Sequence, residues 1–183
     1  MQKERIAVLG ISIGTRRVGI AILKDNELVD WRVKTFKGQW CSYKLSAIQR
    51  WFEKVAEFYS VDAIALKIPG LIESSPGLKD LIGYCRAQFN CKGINVAVFT
   101  IGDLKAQFLP QGRNNKKALL ECITEKFPEV YLASRKEKSN RNPHYISMFE
   151  AIGAAHLLCQ KQLEEKTNKL LKSSARKKTI VAR

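Results

Sequence analysis

The sequence lacks the features that would place the protein in a membrane or outside the cell. No run of apolar residues approaches the roughly 20 that a membrane-spanning helix needs. Residues 1–5 lead straight into a strand-like segment, without the apolar core of a signal peptide. We therefore expect a soluble, cytoplasmic protein.

The cysteines give no support for disulfides or for a zinc site. The five cysteines are an odd number, and no two of them form a Cys-x-x-Cys pair. Because most of them lie among apolar residues, the pattern favours buried free thiols. The cysteines are Cys41, Cys85, Cys91, Cys122 and Cys159.

Acidic residues are scarce relative to basic ones. The chain of 183 residues has 17 aspartates and glutamates against 32 lysines and arginines, a net charge of +15. Basic residues near phosphates release condensed counterions, so this excess favours a polyanionic partner. Basic stretches occur at residues 111–117 and 134–142, which we predict to be loops, and at residues 161–183. The last stretch is predicted to be a frayed helix and basic tail, either a solvated terminus or a phosphate-binding arm.

Hydrophobic periodicity predicts a single α/β domain. The 45% hydrophobic content is enough to bury a core. Three sequential strands with short turns predict an antiparallel meander, and two later strands alternate with helices, as parallel strands do. The fold class is thus a mixed five-stranded sheet, antiparallel in strands 1-2-3 and parallel in strands 4 and 5, flanked by helices. The predicted strands span residues 6–13, 18–23, 28–36, 61–68 and 94–100, and the predicted helices span residues 43–59, 76–90, 103–109, 116–127 and 144–171.

The most specific motif is the first hairpin, Gly-Ile-Ser-Ile-Gly-Thr-Arg-Arg-Val-Gly at residues 10–19. A buried strand ends in a polar residue and turns through Gly-Thr into a second strand. The sugar-kinase, actin and heat-shock ATPase superfamily uses a similar turn, but its architecture needs two such domains, more than 183 residues can supply. Further matching segments lie at residues 63–68, 103–105, 115–117 and 147–155. Over residues 5–160 the chain resembles the RNase H-like superfamily, and within it the RuvC-type Holliday-junction resolvases and their YqgF-type relatives.

The resemblance implies a nuclease site that this chain has largely lost. In that family, acids at four positions hold two divalent metals roughly 4 Å apart, which activate water and stabilise the leaving oxygen of a phosphodiester. At these positions the present chain has Ser12, Lys67, Ser147 and Glu150. A serine is a poor magnesium ligand and a lysine is positive, so we expect no metal and no cofactor. Mg²⁺ would be needed only if other acids, such as Glu73 and Asp103, replaced the missing ones.

Lys67 allows three interpretations. It could form a structural ion pair with Glu150, with Ser12 as a hydrogen-bonding neighbour. It could instead replace the charge of the missing metal and hold a phosphate without cleaving it. The third possibility is that Lys67 extends outward into solvent.

The resemblance also implies a nucleic-acid-binding surface beside this site. Basic side chains on the first hairpin, after the fifth strand and in the later loops could contact a phosphate backbone, or could merely aid solubility. The candidate nucleic-acid-binding residues are Thr15, Arg16, Arg17, Lys105, Arg113, Lys116, Lys117, Arg135, Lys136 and Arg141. Of the aromatic residues, Trp51 is predicted to be in the core, and Trp40 could either stack on a base or pack inside. His144 is predicted to be a helix cap or surface residue, and His156 a core or interface residue.

Three functions follow from these observations. We favour a RuvC-like protein that binds branched or otherwise structured DNA without metal-dependent cleavage. The alternatives are an active Mg²⁺-dependent junction endonuclease with a rearranged acid set, and a non-enzymatic protein-interaction scaffold. We also predict a domain at residues 1–163, a basic helical extension at residues 164–183, and a possible homodimer formed through the last helix.

Overall fold

The fold was obtained as a computed structural model that describes residues 6–14, 16–69, 75–109, 115–139 and 144–181, with side chains to residue 168. The described residues form the five predicted strands and the five predicted helices in the predicted order, with one further α-helix. The strands are β1 (Ala7–Ser12), β2 (Arg17–Lys24), β3 (Glu27–Thr35), β4 (Ala63–Lys67) and β5 (Asn95–Phe99). The helices are α1 (Ser42–Tyr59), α2 (Pro76–Cys91), α3 (Ile101–Phe108), α4 (Lys116–Lys126), α5 (Tyr131–Ser139) and α6 (Ile146–Val181), with a 3₁₀ turn at Pro128–Val130.

The sheet has the predicted topology. Its strand order is β3-β2-β1-β4-β5. Strand β2 is antiparallel to its neighbours β1 and β3, whereas β4 and β5 run parallel to β1. Strand β1 is central and buried along its whole length, as its continuous apolar run predicts. In its register Ser12 lies opposite Gly19 on one side and Lys67 on the other. The polar ends of β1 and β4 therefore meet at one edge of the sheet.

Helix α6 packs unusually close to the sheet because two strand positions are glycine. A Cβ atom at Gly10 would lie 2.0 Å from the carbonyl oxygen of Ala151, and one at Gly19 would lie 2.1 Å from the carbonyl carbon of Ser147. Both distances are shorter than any real contact, so only glycine allows this approach. The close packing brings the first turns of α6 to the ends of β1 and β4. Helices α1 and α2 cover the opposite face of the sheet.

The chain differs from the prediction at residues 134–139, which were expected to lie in a loop and instead belong to helix α5 (Tyr131–Ser139). Arg135 and Lys136 therefore lie on an exposed helical surface. The many charges concealed the helix, which is held by its buried residues Ser134 and Glu137. The carboxylate of Glu137 accepts hydrogen bonds from the backbone N–H groups of residues 144 and 145, at 2.8 to 3.0 Å, and so caps the start of α6.

Helix α6 begins at Ile146 and continues to Val181, past the predicted end at residue 171. It also passes without interruption through the boundary predicted between residues 163 and 164. The division into a domain and an extension stays a prediction. In the part of the chain that the structure describes, no helix is long and apolar enough to cross a membrane.

All five cysteines are free, but the prediction that most are buried was wrong. Cys85 and Cys159 are buried, whereas Cys41 and Cys91 are exposed and Cys122 is partly exposed. The two exposed ones lie at helix ends, Cys41 at the N-cap of α1 and Cys91 at the last residue of α2. Burial raises the pKa of Cys85 to about 12 and that of Cys159 to about 11, so both remain protonated thiols.

Candidate functional site

The sheet edge formed by β1 and β4 carries a buried polar cluster. Oε2 of Glu150, on α6, accepts a hydrogen bond from Oγ of Ser12 at 2.8 Å and another from Nζ of Lys67 at 2.6 Å. Ser12 is 2% exposed, Glu150 5% and Lys67 8%. The predicted ion pair and its serine neighbour are confirmed. The alternative in which Lys67 extends into solvent is wrong, because its ammonium group turns inward to the carboxylate.

The second carboxylate oxygen of Glu150 has no hydrogen-bond partner among the described residues. This atom, Oε1, and the Oγ atom of Ser147 are both buried without a hydrogen-bond partner in the described structure. Nζ of Lys116, in the first turn of α4, lies 3.9 Å from Oε1, and the Lys116 side chain is 63% exposed. Buried polar atoms without a hydrogen-bond partner are rare in folded proteins. In this cluster Oε2 of Glu150 is therefore hydrogen-bonded to the strands, whereas Oε1 lies near the exposed ammonium group of Lys116.

The side chains at this edge do not fit a divalent cation. Magnesium needs several oxygen ligands, including carboxylates, and only Glu150 among the four positions supplies one. The Glu150 oxygen that faces the strands is occupied by a positive ammonium group at 2.6 Å. Among the residues that the structure describes, no group of three or more histidine, cysteine, aspartate or glutamate side chains could hold a metal.

The two acids considered as replacements do not change this result. Asp103 forms a capping box with Thr100 at the start of α3, and hydrogen bonds from Thr100 hold its pKa below the usual value. Its carboxylate therefore serves the helix terminus. Glu73 lies outside the described residues.

The structure brings some of the predicted basic residues near this edge. Arg16 and Arg17 lie where β2 begins, directly after the end of β1, and Lys116 and Lys117 open α4 beside Glu150. Lys105 is on α3. Arg135 and Lys136 are on α5, whose end is tied to the start of α6 by Glu137. Thr15, Arg113 and Arg141 lie outside the described residues.

The side chains of His156 and Trp51 pack in the interior, and His144 contributes to a helix cap through its backbone. Nδ1 of His156 lies 2.8 Å from Oδ1 of Asn26, and the ring is buried between Phe108 and Phe127, which confirms the core prediction. His144 contributes its backbone N–H, not its side chain, to the capping of α6. Trp51 packs against the core with its ring edge to Phe36, as predicted.

A groove at the end of β3 was missed by the sequence analysis. It encloses about 600 Å³ and lies between the segment that joins β3 to α1 and the start of α2. In the sequence, Trp40 was the only residue that suggested a binding site here. The basic residues on either side of it, Lys37 and Lys44, could have suggested one as well. We call it the β3–α1 groove. Its lining residues are Arg16, Thr35, Phe36, Lys37, Gly38, Gln39, Trp40, Lys44 and Ser75.

Comparison of sequences gives no match to a family model or to a curated protein. Solved structures do match. Thermus thermophilus RuvC in complex with a Holliday junction substrate is 13% identical with a TM-score of 0.65, over 83% of this chain and 92% of RuvC. The yeast mitochondrial Holliday junction resolvase Ydc2 is 13% identical with a TM-score of 0.62, over 88% of this chain and 81% of Ydc2.

A third similar structure is the fowlpox virus resolvase with its Holliday junction DNA, 16% identical with a TM-score of 0.53, over 84% of this chain and 99% of that one. The chain has the RNase H-like fold of the RuvC-type resolvases. At these identities the similarity establishes the fold. The side chains at the sheet edge must then be considered on their own chemistry.

Proposed function

We propose that this RuvC-like chain binds branched or otherwise structured DNA at the sheet edge formed by β1 and β4 and does not cleave it by a metal-dependent route. The observation that carries the proposal is the hydrogen bonding of Lys67 and Ser12 to the same oxygen of Glu150. A lysine ammonium group there supplies a fixed positive charge where a two-metal nuclease would need negative ones.

Binding of DNA is supported by the fold and by the charge. The RuvC and fowlpox resolvase structures were both solved with Holliday junctions. The present chain has a net charge of +15, and Lys116 presents an exposed ammonium group next to the buried cluster. The backbone N–H groups at the start of α4 favour phosphate near the same place. A DNA phosphate could therefore be held by Lys116 and this helix terminus, beside the cluster.

The absence of cleavage is supported by the balance of charge in the cluster. Glu150 contributes one negative charge, and the adjacent Lys67 neutralises it. A metal would have to displace a buried ammonium group that makes a charge-assisted hydrogen bond, and no group of three or more potential ligand side chains occurs among the described residues. The cluster itself is neutral and has no group that generates hydroxide from water, so attraction for a phosphate comes from the exposed Lys116 beside it.

The binding proposal is tested by fluorescence anisotropy with a four-way junction and with a linear duplex of the same sequence, both in EDTA. We expect the junction to bind more tightly, and the logarithm of its affinity to fall with the logarithm of salt concentration by about 0.9 for each phosphate contacted. Lys116→Gln/Lys117→Gln should reduce this slope by about 1 to 2. Arg50→Gln/Lys54→Gln, two exposed changes on α1, is the charge-matched control.

The same measurement separates the alternatives. Weak binding that does not depend on salt would favour the protein-interaction scaffold over the proposal. Equal affinity for junction and duplex would remove the preference for branched DNA. A homodimer stays a prediction, and sedimentation of the free protein would test it.

A further inference from the structure

We infer that the β3–α1 groove binds an unpaired nucleotide of the DNA, next to the sheet edge that holds the phosphate backbone. This inference rests on the proposed function and adds to it a specific ligand, a nucleobase that is not in a duplex. The groove is separate from the Ser12–Lys67–Glu150 cluster and shares none of its residues.

The lining of the groove combines the two kinds of group that single-stranded nucleic acid requires. Trp40 and Phe36 supply aromatic surface on which a base can stack, and Arg16 and Lys37 supply positive charge for its phosphate. A volume of about 600 Å³ lies within the range of sites for small organic ligands and accommodates a nucleotide. None of the described residues in the lining is acidic.

Trp40 is held in place by a glycine on the neighbouring helix. A Cβ atom at Gly77, in the first turn of α2, would lie 2.0 Å from Nε1 of Trp40. The indole ring therefore rests directly on the helix backbone, while the residue stays only partly buried. An aromatic ring that is fixed before binding loses little conformational entropy when a base stacks on it.

The segment that carries Trp40 is also fixed. Lys44 is 6% exposed, and its Nζ donates a hydrogen bond of 2.9 Å to the carbonyl oxygen of Gly38. Gly38 has a positive φ of 85°, a conformation that suits glycine and shapes the turn before Trp40. Lys44 thus acts on the loop conformation, which leaves Arg16 and Lys37 as the lining cations for a phosphate.

The groove lies at the same edge of the sheet as the buried cluster. Thr35, the last residue of β3, pairs with Arg17, and the backbone N–H of Phe36 donates to the carbonyl oxygen of Arg16 at 2.8 Å. Two strand spacings separate β3 from β1, a lateral distance of about 10 Å. At about 3.4 Å per nucleotide, a strand whose phosphate lies at the cluster reaches the groove within a few nucleotides.

Only an unpaired base can use this arrangement. In a duplex the base faces are covered by their stacked neighbours, and unstacking a paired base costs several kcal/mol. A branch point offers bases that are already unstacked. The groove would therefore favour junctions with unpaired nucleotides over junctions whose arms are fully paired.

The test compares two four-way junctions in EDTA, one fully paired and one with two unpaired nucleotides at the branch point, one of them 2-aminopurine. We expect the native protein to bind the second junction about tenfold more tightly. Trp40→Ala should abolish this advantage while the affinity for the paired junction stays within about twofold. Trp40→Phe should retain most of it, and Gly77→Ala, which displaces the ring without changing the charge, should reduce it.

The fluorescence of 2-aminopurine supplies a second reading, because stacking on Trp40 should change its emission in the native protein but not in Trp40→Ala. Equal binding of the two junctions by the native protein, or an equal loss for both in Trp40→Ala, would overturn the inference and leave the proposed function intact. Failure of both junctions to bind would instead overturn the proposed function and this inference with it.

Discussion

Nζ of Lys67 lies 2.6 Å from Oε2 of Glu150, although the two residues are 83 positions apart in the chain. Both side chains are buried, at 10% and 7% exposure. An ion pair of this kind contributes little net stability, because removing both charges from water costs about as much as their attraction returns. Its effect is on the chemistry of the sheet edge, since it places an ammonium group against the one carboxylate there.

Removal of one partner should be far more costly than removal of both. Lys67→Met leaves the Glu150 carboxylate buried with Ser12 as its remaining hydrogen-bond donor, so we expect a loss of about 3 to 5 kcal/mol in the free energy of unfolding. Lys67→Met/Glu150→Met should lose much less than the sum of the two single changes. Urea unfolding of the four proteins measures this coupling. Additive losses would show that the two groups do not interact.

Restoration of acids at the ends of β1 and β4 should create a metal site at this edge of the sheet. Ser12→Asp/Lys67→Glu places two further carboxylates on the ends of β1 and β4, opposite Glu150. Their mutual repulsion should destabilise the protein without metal, and millimolar Mn²⁺ should raise its Tm by several degrees. Native protein should show no such rise, and Ser12→Asn/Lys67→Gln is the uncharged control. An equal rise in native protein would mean that acids elsewhere hold the metal.

The two glycines beneath α6 should not tolerate alanine. Gly10→Ala and Gly19→Ala place a methyl group within 2.1 Å of the α6 backbone, so helix and sheet must separate. We expect each change to cost about 2 kcal/mol or more. Gly83→Ala on α2 is the matched control, because nothing lies within 4 Å of the added atom, and it should be neutral or slightly stabilising. Thermal unfolding monitored by circular dichroism distinguishes these outcomes.

His156 should make the protein sensitive to mild acid. Burial, with a smaller contribution from the charge of Lys126, lowers its pKa to about 4 from the usual 6.5. Above pH 6.5 the imidazole is neutral in both states and its contribution is intact. As the pH falls from 6.5 to 4, only the unfolded chain takes up the proton, so stability falls by up to about 1.4 kcal/mol per pH unit. In His156→Gln this part of the slope should disappear, and an unchanged slope would assign it to other groups.

Much of the fold could be predicted from the sequence because the sheet is built from local patterns. The continuous apolar run of β1 and the short turns after it predicted the central hairpin and the meander. Helix α5 was missed because its sequence is dominated by Arg135, Lys136 and Lys138, whose charges conceal the two buried positions that anchor it. Hydrophobic periodicity cannot detect a helix that is held chiefly by polar contacts.

The site was predicted in part. Ser12, Lys67 and Glu150 could be placed together because a family resemblance supplied their common position, and no local pattern connects residues so far apart. Three features depend on packing between elements. They are the Glu150 oxygen without a hydrogen-bond partner, its proximity to Lys116, and the contact of Trp40 with Gly77. Such contacts leave no periodic signal in a single sequence.

The most direct test of binding without cleavage uses one reaction analysed on two gels. A labelled four-way junction is incubated with the protein in Mg²⁺ and, separately, in Mn²⁺, and each sample is run on a native and on a denaturing gel. The account predicts a retarded complex on the native gel and intact strands on the denaturing gel in both metals. Cleaved strands that disappear in both Glu150→Gln and Glu150→Ala would contradict it and assign nuclease activity to this site.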